Sequence, residues 1–360
     1  RRTTMRAIEQ SGSVAVQVLA PGHTLDRALG VIAAEPDARA ATRLAHIDAP
    51  LQPLPTTGVP AFDDAYLVYE GRLAEPGTTL EGQAALSSPW HDAGSHRVYF
   101  VEVLAIYLTS PVARGERQIA WQSLPHWTPT AEWARRPYDP AALGAQRYVK
   151  GYTPNYRFPA PGTVAFEADS TFGAMSVRHL ERLPGGQVAV DNDRARWPCF
   201  FPSSAGMITT WQDDGRPTAM PCGSSGIVSR LPFTVATCIS NSAINERYAP
   251  RASLATIRAR GRFGVGVPFA GDDVVRAMSY LGNVSARTDP DKVAHSGLTA
   301  LAGGPSPVLA ELPVHLDCTV TEEIVLGTHI MVLGTVDRIH LRRDVGPDNP
   351  LRWSPWAEVV

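Results

Sequence analysis

The residues with the clearest capacity for chemistry lie between Met207 and Phe263. Small and hydroxyl-bearing residues run from Thr218 to Ser225, and Arg251 and Ser253 stand just before a helix-like segment. Backbone N–H groups between small residues can approach a planar ring closely. An arginine fork and the N–H groups at a helix start can together hold a phosphate. The pattern therefore predicts a cradle for a phosphorylated planar cofactor, and the alternative is a loop followed by an ordinary helix N-cap.

Several elements must position this cradle. The apolar stretch Met207–Trp211 predicts a strand, and Asp213–Gly215 contains the Asp-Gly pair typical of tight hairpin turns. Arg230–Pro232 indicates a corner, and Phe233–Ile239 after it predicts a buried strand. The amphipathic segment Leu254–Arg260 predicts the helix that follows the arginine.

Five short segments follow one another in an order that carries a family resemblance. They are Met207-Ile208-Thr209-Thr210, Asp213–Gly215, Thr218–Ser225, Val228-Ser229-Arg230-Leu231-Pro232 and Arg251-Ala252-Ser253. In this order they resemble the flavin reductase-like family, whose fold is the FMN-binding split β-barrel. The corner departs from the family pattern, because Leu231-Pro232-Phe233 stands where two prolines are usual. The resemblance implies a mainly β fold, a barrel with a few helices, and FMN rather than FAD as cofactor.

The resemblance also implies roles for individual residues around the flavin. The segment that would lie along the ring comprises Thr218, Ala219, Met220, Cys222, Gly223, Ser224 and Ser225. Arg251 and Ser253 would bind the phosphate, with Ser240 and Asn241 as neighbours. We assign no redox role to Cys222, since a single thiol without a resolving partner is more often a small buried hydrophobe.

Two further residues have a functional and a structural interpretation. Lys292 lies in the segment Asp289–Leu298, which resembles the family's D-K-F-x-x-x-G-L pattern, and it would reach a phosphate or remain a solvated lysine. His329 follows Gly327 and Thr328 in a pattern similar to the family's G-D-H motif, with threonine in place of the acid. It would act near the flavin or nicotinamide pocket, or satisfy backbone groups at a strand end.

An internal repeat links the two halves of the chain. The matching pairs are Arg2–Ile8 with Arg251–Ile257, Val14–Val18 with Phe263–Val267, Pro60–Phe62 with Pro307–Leu309, Leu67–Glu70 with Val314–Asp317, and Gly94–His96 with Gly327–His329. Five matches in the same order predict a tandem duplication. The offset falls from 247 at Glu70 to 233 at His96, which predicts an insertion within Glu75–Ala93, as a long hairpin loop.

The duplication predicts three parts. Residues 1–108 would form a first, incomplete repeat, 109–196 an aromatic and Pro-rich connecting segment, and 197–360 a complete repeat. The first repeat lacks room for the ring-side strands, so we expect either a truncated N-terminus or a repeat that has lost its front half. It would still supply Arg2, Thr4 and His96 to the cofactor site. The two repeats would form an internal pseudo-dimer, with further homo-oligomers left open.

The connecting segment and its tryptophans have only structural predictions. Short strands are expected at Val164–Phe166 and Gln187–Val190. The pairs Trp121/Trp127 and Trp353/Trp356 are expected to pack at a barrel mouth or between the repeats.

Composition limits the classes of function. Charged residues make up 19% of the chain and the net charge is −2, without a run of Lys or Arg, so no nucleic-acid partner is expected. The four cysteines lack metal-type spacing, and no long apolar run or signal peptide is present. These features predict a cytoplasmic protein without a membrane partner or a metal.

The leading hypothesis is an FMN-dependent oxidoreductase of the NAD(P)H:flavin reductase type, with the flavin between the repeats. NADH or NADPH would serve as a transient donor, because no Gly-rich dinucleotide fingerprint occurs. Electrons would pass to free flavin, oxygen, a small organic acceptor or a partner monooxygenase. One alternative keeps FMN but gives it a dedicated small-molecule substrate in a biosynthetic pathway. Another is a non-catalytic or haem-binding divergent split barrel, with His329 or His96 as an axial ligand.

Overall fold

Antiparallel strands dominate the architecture. A computed structural model describes residues 3–19, 50–77, 86–109, 165–166, 172–176, 206–241, 251–267, 272–326 and 329–342. The mainly β class predicted from the sequence is confirmed. Within these ranges, no helix is both long and apolar enough to cross a membrane.

The first repeat is a helix followed by antiparallel strands. Its elements are α1 (Thr3–Ser11), β1 (Ser13–Leu19), β2 (Leu51–Pro53), β3 (Pro60–Phe62), β4 (Ala65–Leu73), β5 (Trp90–Ala93), β6 (His96–Tyr99) and β7 (Val101–Thr109). The connecting segment supplies β8 (Ala165–Phe166) and β9 (Phe172–Ser176), and the main sheet has the order β1-β4-β7-β9-β8. The strand predicted at Val164–Phe166 is therefore confirmed, and the connecting segment extends the sheet of the first repeat.

The second repeat contains the elements predicted around the cradle. They are β10 (Gly206–Trp211), β11 (Pro217–Cys222), β12 (Ser225–Arg230), β13 (Phe233–Ser240), α2 (Ala252–Arg260), β14 (Arg262–Val267), α3 (Asp272–Asn283), α4 (Lys292–His295), β15 (Ala300–Leu301), β16 (Val308–Leu309), β17 (Val314–Leu326) and β18 (His329–Leu341). The seven-stranded sheet has the order β11-β10-β14-β17-β18-β13-β12. The predicted turn between β10 and β11 is confirmed, with Gly215 at a φ of 83°, in the left-handed region that favours glycine.

The two edges of this sheet approach each other at the turn between β11 and β12. The backbone N–H of Cys238 on β13 donates to the carbonyl of Ser224 at 3.1 Å. The hydroxyls of Ser225 and Thr237 lie 3.0 Å apart, and the Thr237 hydroxyl lies 3.3 Å from the thiol of Cys222. The sheet therefore curls: Cys222 on the edge strand β11 contacts β13, the ladder partner of the other edge strand β12, and these groups form a short polar seam.

Helices fill the two faces of the curled sheet. Leu254 and Ile257 of α2 join an apolar cluster with β10, β13, β14, β17 and β18. On the other face, Met278 and Leu281 of α3 pack with Ala219 of β11. Together these clusters bury both faces of β11, so the predicted ring-side strand is a core element.

Structure at matching positions supports the duplication. Helix α1 corresponds to α2, and strands β1, β3, β4 and β7 correspond to β14, β16, β17 and β18. The β5–β6 hairpin corresponds to the outer end of the β17–β18 hairpin, because Trp90 pairs with Tyr99 and Ala93 with His96, as Glu323 pairs with Val332 and Leu326 with His329. The insertion predicted within Glu75–Ala93 therefore lies before β5. The domain boundaries at 108 and 196 stay predictions.

The polar side chain that holds the short strand to the main sheet comes from a different strand in each repeat. In the first repeat Gln17 on β1 faces Val68 on β4. The Gln17 side chain accepts from the N–H of Phe62 at 2.7 Å and donates to the carbonyl of Pro60 at 3.1 Å. It thereby ties β3 to the main sheet.

In the second repeat the matching pair is Gly266 and His315. The His315 ring fills the space beside the glycine, where an added Cβ would lie 2.7 Å from its Cε1 atom. His315 Nε2 accepts from the N–H of Leu309 on β16 at 2.9 Å. His315 on β17 therefore ties β16 to the main sheet, as Gln17 on β1 ties β3 to the main sheet of the first repeat.

Several predicted features lie outside the described residues. These are Arg2, the strand at Gln187–Val190, Thr328 and the pairs Trp121/Trp127 and Trp353/Trp356.

Candidate functional site

The start of helix α2 forms the phosphate half of the predicted cradle. Arg251 is its N-cap, with extended backbone (φ −63°, ψ 121°) and no side-chain capping hydrogen bond. Its side chain is exposed, whereas Ser253, in the first turn, is 6% exposed. A helix start carries partial positive charge from its backbone N–H groups, and the adjacent guanidinium adds to it. This end of α2 is suited to an anion.

Lys292 is neither solvated nor extended toward solvent. It is 3% exposed, and its ammonium donates to the carbonyls of Leu281 at 2.8 Å and Val284 at 2.6 Å, at the end of α3. Burial lowers the pKa of Lys292 to about 8, Asp289 opposes this shift, and the positive charge of Arg251 adds to it. The interpretation as a solvated lysine is therefore wrong. Its ammonium caps α3 and lies within electrostatic range of Arg251.

The ring-side segment divides into a buried strand and an accessible turn. Thr218 and Ala219 are 1% and 0% exposed, because β11 is covered by α3 and α4 on one side and by the apolar cluster inside the curled sheet on the other. Their side chains lack a surface on which a ring could rest, so this part of the prediction needs correction. Met220 is half-buried and packs against the interior cluster.

The turn after β11 carries the accessible part of the segment. Ser224 is exposed, and Gly223 and Ser225 are half-buried. Cys222 is 6% exposed, and its thiol donates to the carbonyl of Cys238 at 3.2 Å. The prediction of a small buried thiol is confirmed. The surface available to a ring thus narrows to the residues from Gly223 to Ser225.

Ser240, Asn241 and His329 lie at one end of the β13–β18 pair. Ser240 is directly opposite His329 in the ladder. Asn241, just after β13, is 8% exposed, and His329 is half-buried at the first position of β18. The structure therefore brings these three predicted residues together.

The first-repeat residues lie elsewhere. His96 accompanies Ser95 at the turn of the β5–β6 hairpin, with its Nδ1 atom 2.9 Å from the Ser95 hydroxyl. Ser95 contacts the corner between β12 and β13, which is the end of β13 remote from Ser240. With about 3.3 Å per residue, β13 spans ~23 Å. Thr4 is exposed on α1.

Sequence reasoning missed two buried carboxylates at matching repeat positions. Glu70 is 0% exposed and accepts hydrogen bonds from Tyr107 and from the turn between β2 and β3. Asp317 is also 0% exposed; it accepts from the hydroxyl of Ser306 and lies 2.6 Å from Nε2 of His340. The available signal was an acidic residue at the same place in the two matching segments Leu67–Glu70 and Val314–Asp317.

Comparison with known proteins identifies related sequences and folds. The family model described as flavin reductase like domain matches residues 1–138 and 199–355. No curated protein matches the chain significantly.

Among solved structures, flavoredoxin of Desulfovibrio vulgaris (Miyazaki F) is 22% identical over 44% of this chain and 79% of its own, with a TM-score of 0.36. Nitrilotriacetate monooxygenase component B from Bacillus cereus is 17% identical over 48% and 86%, with a TM-score of 0.39. An FMN-binding protein from Thermus thermophilus is 16% identical over 39% and 72%, with a TM-score of 0.33.

Proposed function

Because the chain belongs to the flavin reductase-like domain family, which its two matches establish, we propose that it is an FMN-dependent oxidoreductase supplied with electrons by NADH or NADPH. Family membership makes a flavin-related oxidoreductase the coarse description. The cofactor, the donor and the location of the site are the finer parts of the proposal.

The observation that carries the proposal is the concentration of positive charge at the start of α2. Arg251 occupies the N-cap of α2 with its side chain exposed, and its positive charge helps to lower the pKa of the buried Lys292. A dianionic phosphate at this end would receive backbone N–H donors and the guanidinium fork. Phosphate binding would also relieve the repulsion between the two cations.

The remaining residues would hold the ring and exclude water. FMN supplies the redox chemistry when bound, since it accepts a hydride and passes electrons on, and the protein supplies position and electrostatics. The backbone N–H groups of Gly223–Ser225 would donate to the polar edge of the ring. Ser240, Asn241 and His329 would line the neighbouring surface, where His329 can hold or release a proton.

We place the flavin at the ring-side turn of the second repeat, which β12 connects to the described contact between the repeats ~17 Å away. The first repeat contacts the second at the corner between β12 and β13, the strand β12 beginning at the predicted ring-side turn. Free flavin, a small organic acceptor or a partner monooxygenase are the proposed recipients of electrons.

Titration with FMN and riboflavin tests the site, since riboflavin lacks the phosphate. We expect wild-type protein to bind FMN at least tenfold more tightly, which corresponds to about 1.4 kcal/mol. Arg251→Ala should weaken FMN binding and leave riboflavin binding unchanged. Arg258→Ala is the matched control, because Arg258 lies on the same helix, paired with Glu323 at 2.7 Å.

The same titrations separate the alternatives. Equal loss of FMN affinity in both arginine variants would remove Arg251 from the phosphate site. A bound flavin that absorbs near 450 nm (about the usual flavin maximum) and is bleached by NADH or NADPH would support the reductase activity. Colour that resists both donors would favour a dedicated substrate, and a haem spectrum would replace the flavin proposal.

A further inference from the structure

The turn of the β5–β6 hairpin reaches from the first repeat to the second. The N–H of Ser95 donates to the carbonyl of Leu231 at 2.7 Å, and the N–H of Leu231 donates to the Ser95 hydroxyl at 3.1 Å. The Ser95 hydroxyl also lies 3.3 Å from that of Ser229, which is 0% exposed. Ser95 therefore bonds to both the N–H and the carbonyl of Leu231 and contacts the buried side chain of Ser229 on β12.

The contact requires glycine at the neighbouring position. Gly94 has a φ of 64°, and an added Cβ would lie 2.1 Å from the carbonyl oxygen of Leu231 and 2.3 Å from Cδ of Pro232. Backbone cannot move aside as a flexible side chain can. The hairpin turn and the corner therefore fit each other as two backbones in direct contact.

The hairpin is built to be rigid. Arg97 binds Asp92 through two bonds, at 2.6 Å and 2.9 Å, and Glu9 of α1 at 2.7 Å. Its guanidinium lies 4.7 Å from the centre of the Trp90 ring, and Tyr99 also donates to Glu9 at 2.9 Å. A second contact between the repeats, His91 to Glu322 at 3.3 Å, lies on the same hairpin. A stiff element therefore presents Gly94 and Ser95.

Strand β12 connects this contact to the predicted ring-side turn. Ser229 lies near one end of β12, and Ser225, at the other end, takes part in the polar seam with Thr237 on β13. Strand β12 is therefore the path along which a displacement of the corner would reach Gly223–Ser225.

We infer that Ser95 is a positioning residue: it locks the corner of the second repeat and so fixes the turn against which the flavin ring would rest. The surface that binds the hairpin turn is the corner between β12 and β13 of the same chain. The ligand part of this inference rests on the proposed function, whereas the locking of the corner does not.

Hydrogen exchange of the full-length protein tests the lock without any ligand. Gly94→Ala should accelerate exchange of the Leu231 amide at least tenfold. Gly12→Ala is the matched control, because Gly12 also has a positive φ, 66°, but an added Cβ would meet nothing within 4 Å. Equal exchange of the Leu231 amide in wild type and Gly94→Ala would overturn the lock. A concentration-dependent dimer that Gly94→Ala dissociates would mean that the corner of a second copy is the occupant, which would also overturn it.

Binding of FMN tests the positioning role. Ser95→Ala should raise the Kd for FMN and for riboflavin by the same factor, about tenfold, because the ring and not the phosphate is affected. Ser95→Thr should restore both, since it keeps the hydroxyl. An unchanged Kd for both flavins in Ser95→Ala, together with accelerated exchange of the Leu231 amide in Gly94→Ala, would refute the positioning role alone. If wild-type protein binds neither flavin, the proposed function fails, and with it the positioning role, while the exchange result on the lock still stands.

Discussion

Tyr107→Phe should destabilise the first repeat through the carboxylate of Glu70. The Tyr107 hydroxyl donates to Glu70 Oε2 at 2.5 Å, while Thr57 donates to Oε1 through its N–H at 2.6 Å and its hydroxyl at 2.8 Å. Thr56 adds an N–H bond at 3.1 Å. The substitution removes the hydroxyl that donates to Oε2 of this fully buried carboxylate, and such a loss costs about 1–3 kcal/mol.

The effect should depend on pH. Burial acts to raise the pKa of Glu70, but the hydrogen bonds from Tyr107, Thr57 and Thr56 outweigh it, so the pKa is lowered. A lowered carboxyl pKa contributes stability above the unfolded value, near 4.5, and this stability is lost as the pH falls through the folded value. Without the Tyr107 hydroxyl that contribution shrinks. The difference between wild type and variant should therefore be larger at pH 7 than at a pH of about 3.5.

Urea denaturation followed by circular dichroism measures the difference. A loss of ~2 kcal/mol lowers the midpoint by ~1 M for a slope of ~2 kcal/mol/M. Tyr99→Phe is the control: Tyr99 donates to Glu9, which keeps its bond to Arg97, so the loss should be under ~1 kcal/mol.

Two outcomes would refute this reasoning. One is a Tyr107→Phe difference that stays constant between the two pH values, since the hydroxyl would then not stabilise the charged form of Glu70. The other is additivity of Tyr107→Phe with Glu70→Gln in a double-mutant cycle, because directly bonded groups should couple by at least ~0.5 kcal/mol.

Three further expectations concern buried groups of the second repeat. Gly266→Gln should lower the free energy of unfolding by ~1–3 kcal/mol, because the new side chain overpacks against His315. Adding His315→Val should recover most of this stability, since it recreates the Gln17 and Val68 pair of the first repeat. A double mutant no more stable in urea than Gly266→Gln alone would contradict this. Burial lowers the pKa of His315 to about 4. The stability that its neutral form contributes, up to ~3 kcal/mol, should therefore be complete above a pH of about 6.5 and be lost as the pH falls towards 4. If the unfolding free energy of His315→Gln changes with pH in parallel with that of wild type, this expectation is wrong. Lys292→Met should lower stability at a pH of about 7 by ~1–3 kcal/mol, because two carbonyl oxygens at the end of α3 lose their donor, and unchanged thermal unfolding would contradict that.

The order of elements was predictable because local signals agreed with the tertiary structure. The Asp213–Gly215 turn, the corner at Arg230–Pro232 and the helix after Arg251 all lie where sequence placed them. Each rests on chain-local physics: turn chemistry, proline geometry and helical periodicity. The repeat then extended the prediction to the first half, where helix α1 begins at the position that corresponds to the start of α2.

The environment of individual residues was less predictable. Thr218 and Ala219 suit a ring-side loop by residue type, yet α3, which lies far along the chain, covers their strand. Lys292 was expected in solvent or at a phosphate, and its ammonium caps a helix instead. Such outcomes depend on contacts between distant segments, which residue type and spacing do not specify.

The polar side chain that comes from a different strand in each repeat limits how the two halves can exchange parts. A crossover that replaced β1 by β14 would set Gly266 against Val68 and leave a void, and the reverse exchange would set Gln17 against His315 in one crowded space. Either recombinant would be less stable than the present chain, because one has a cavity and the other is overpacked. The two halves are therefore not interchangeable strand by strand: an exchange between them keeps both contacts only if the two paired strands move together.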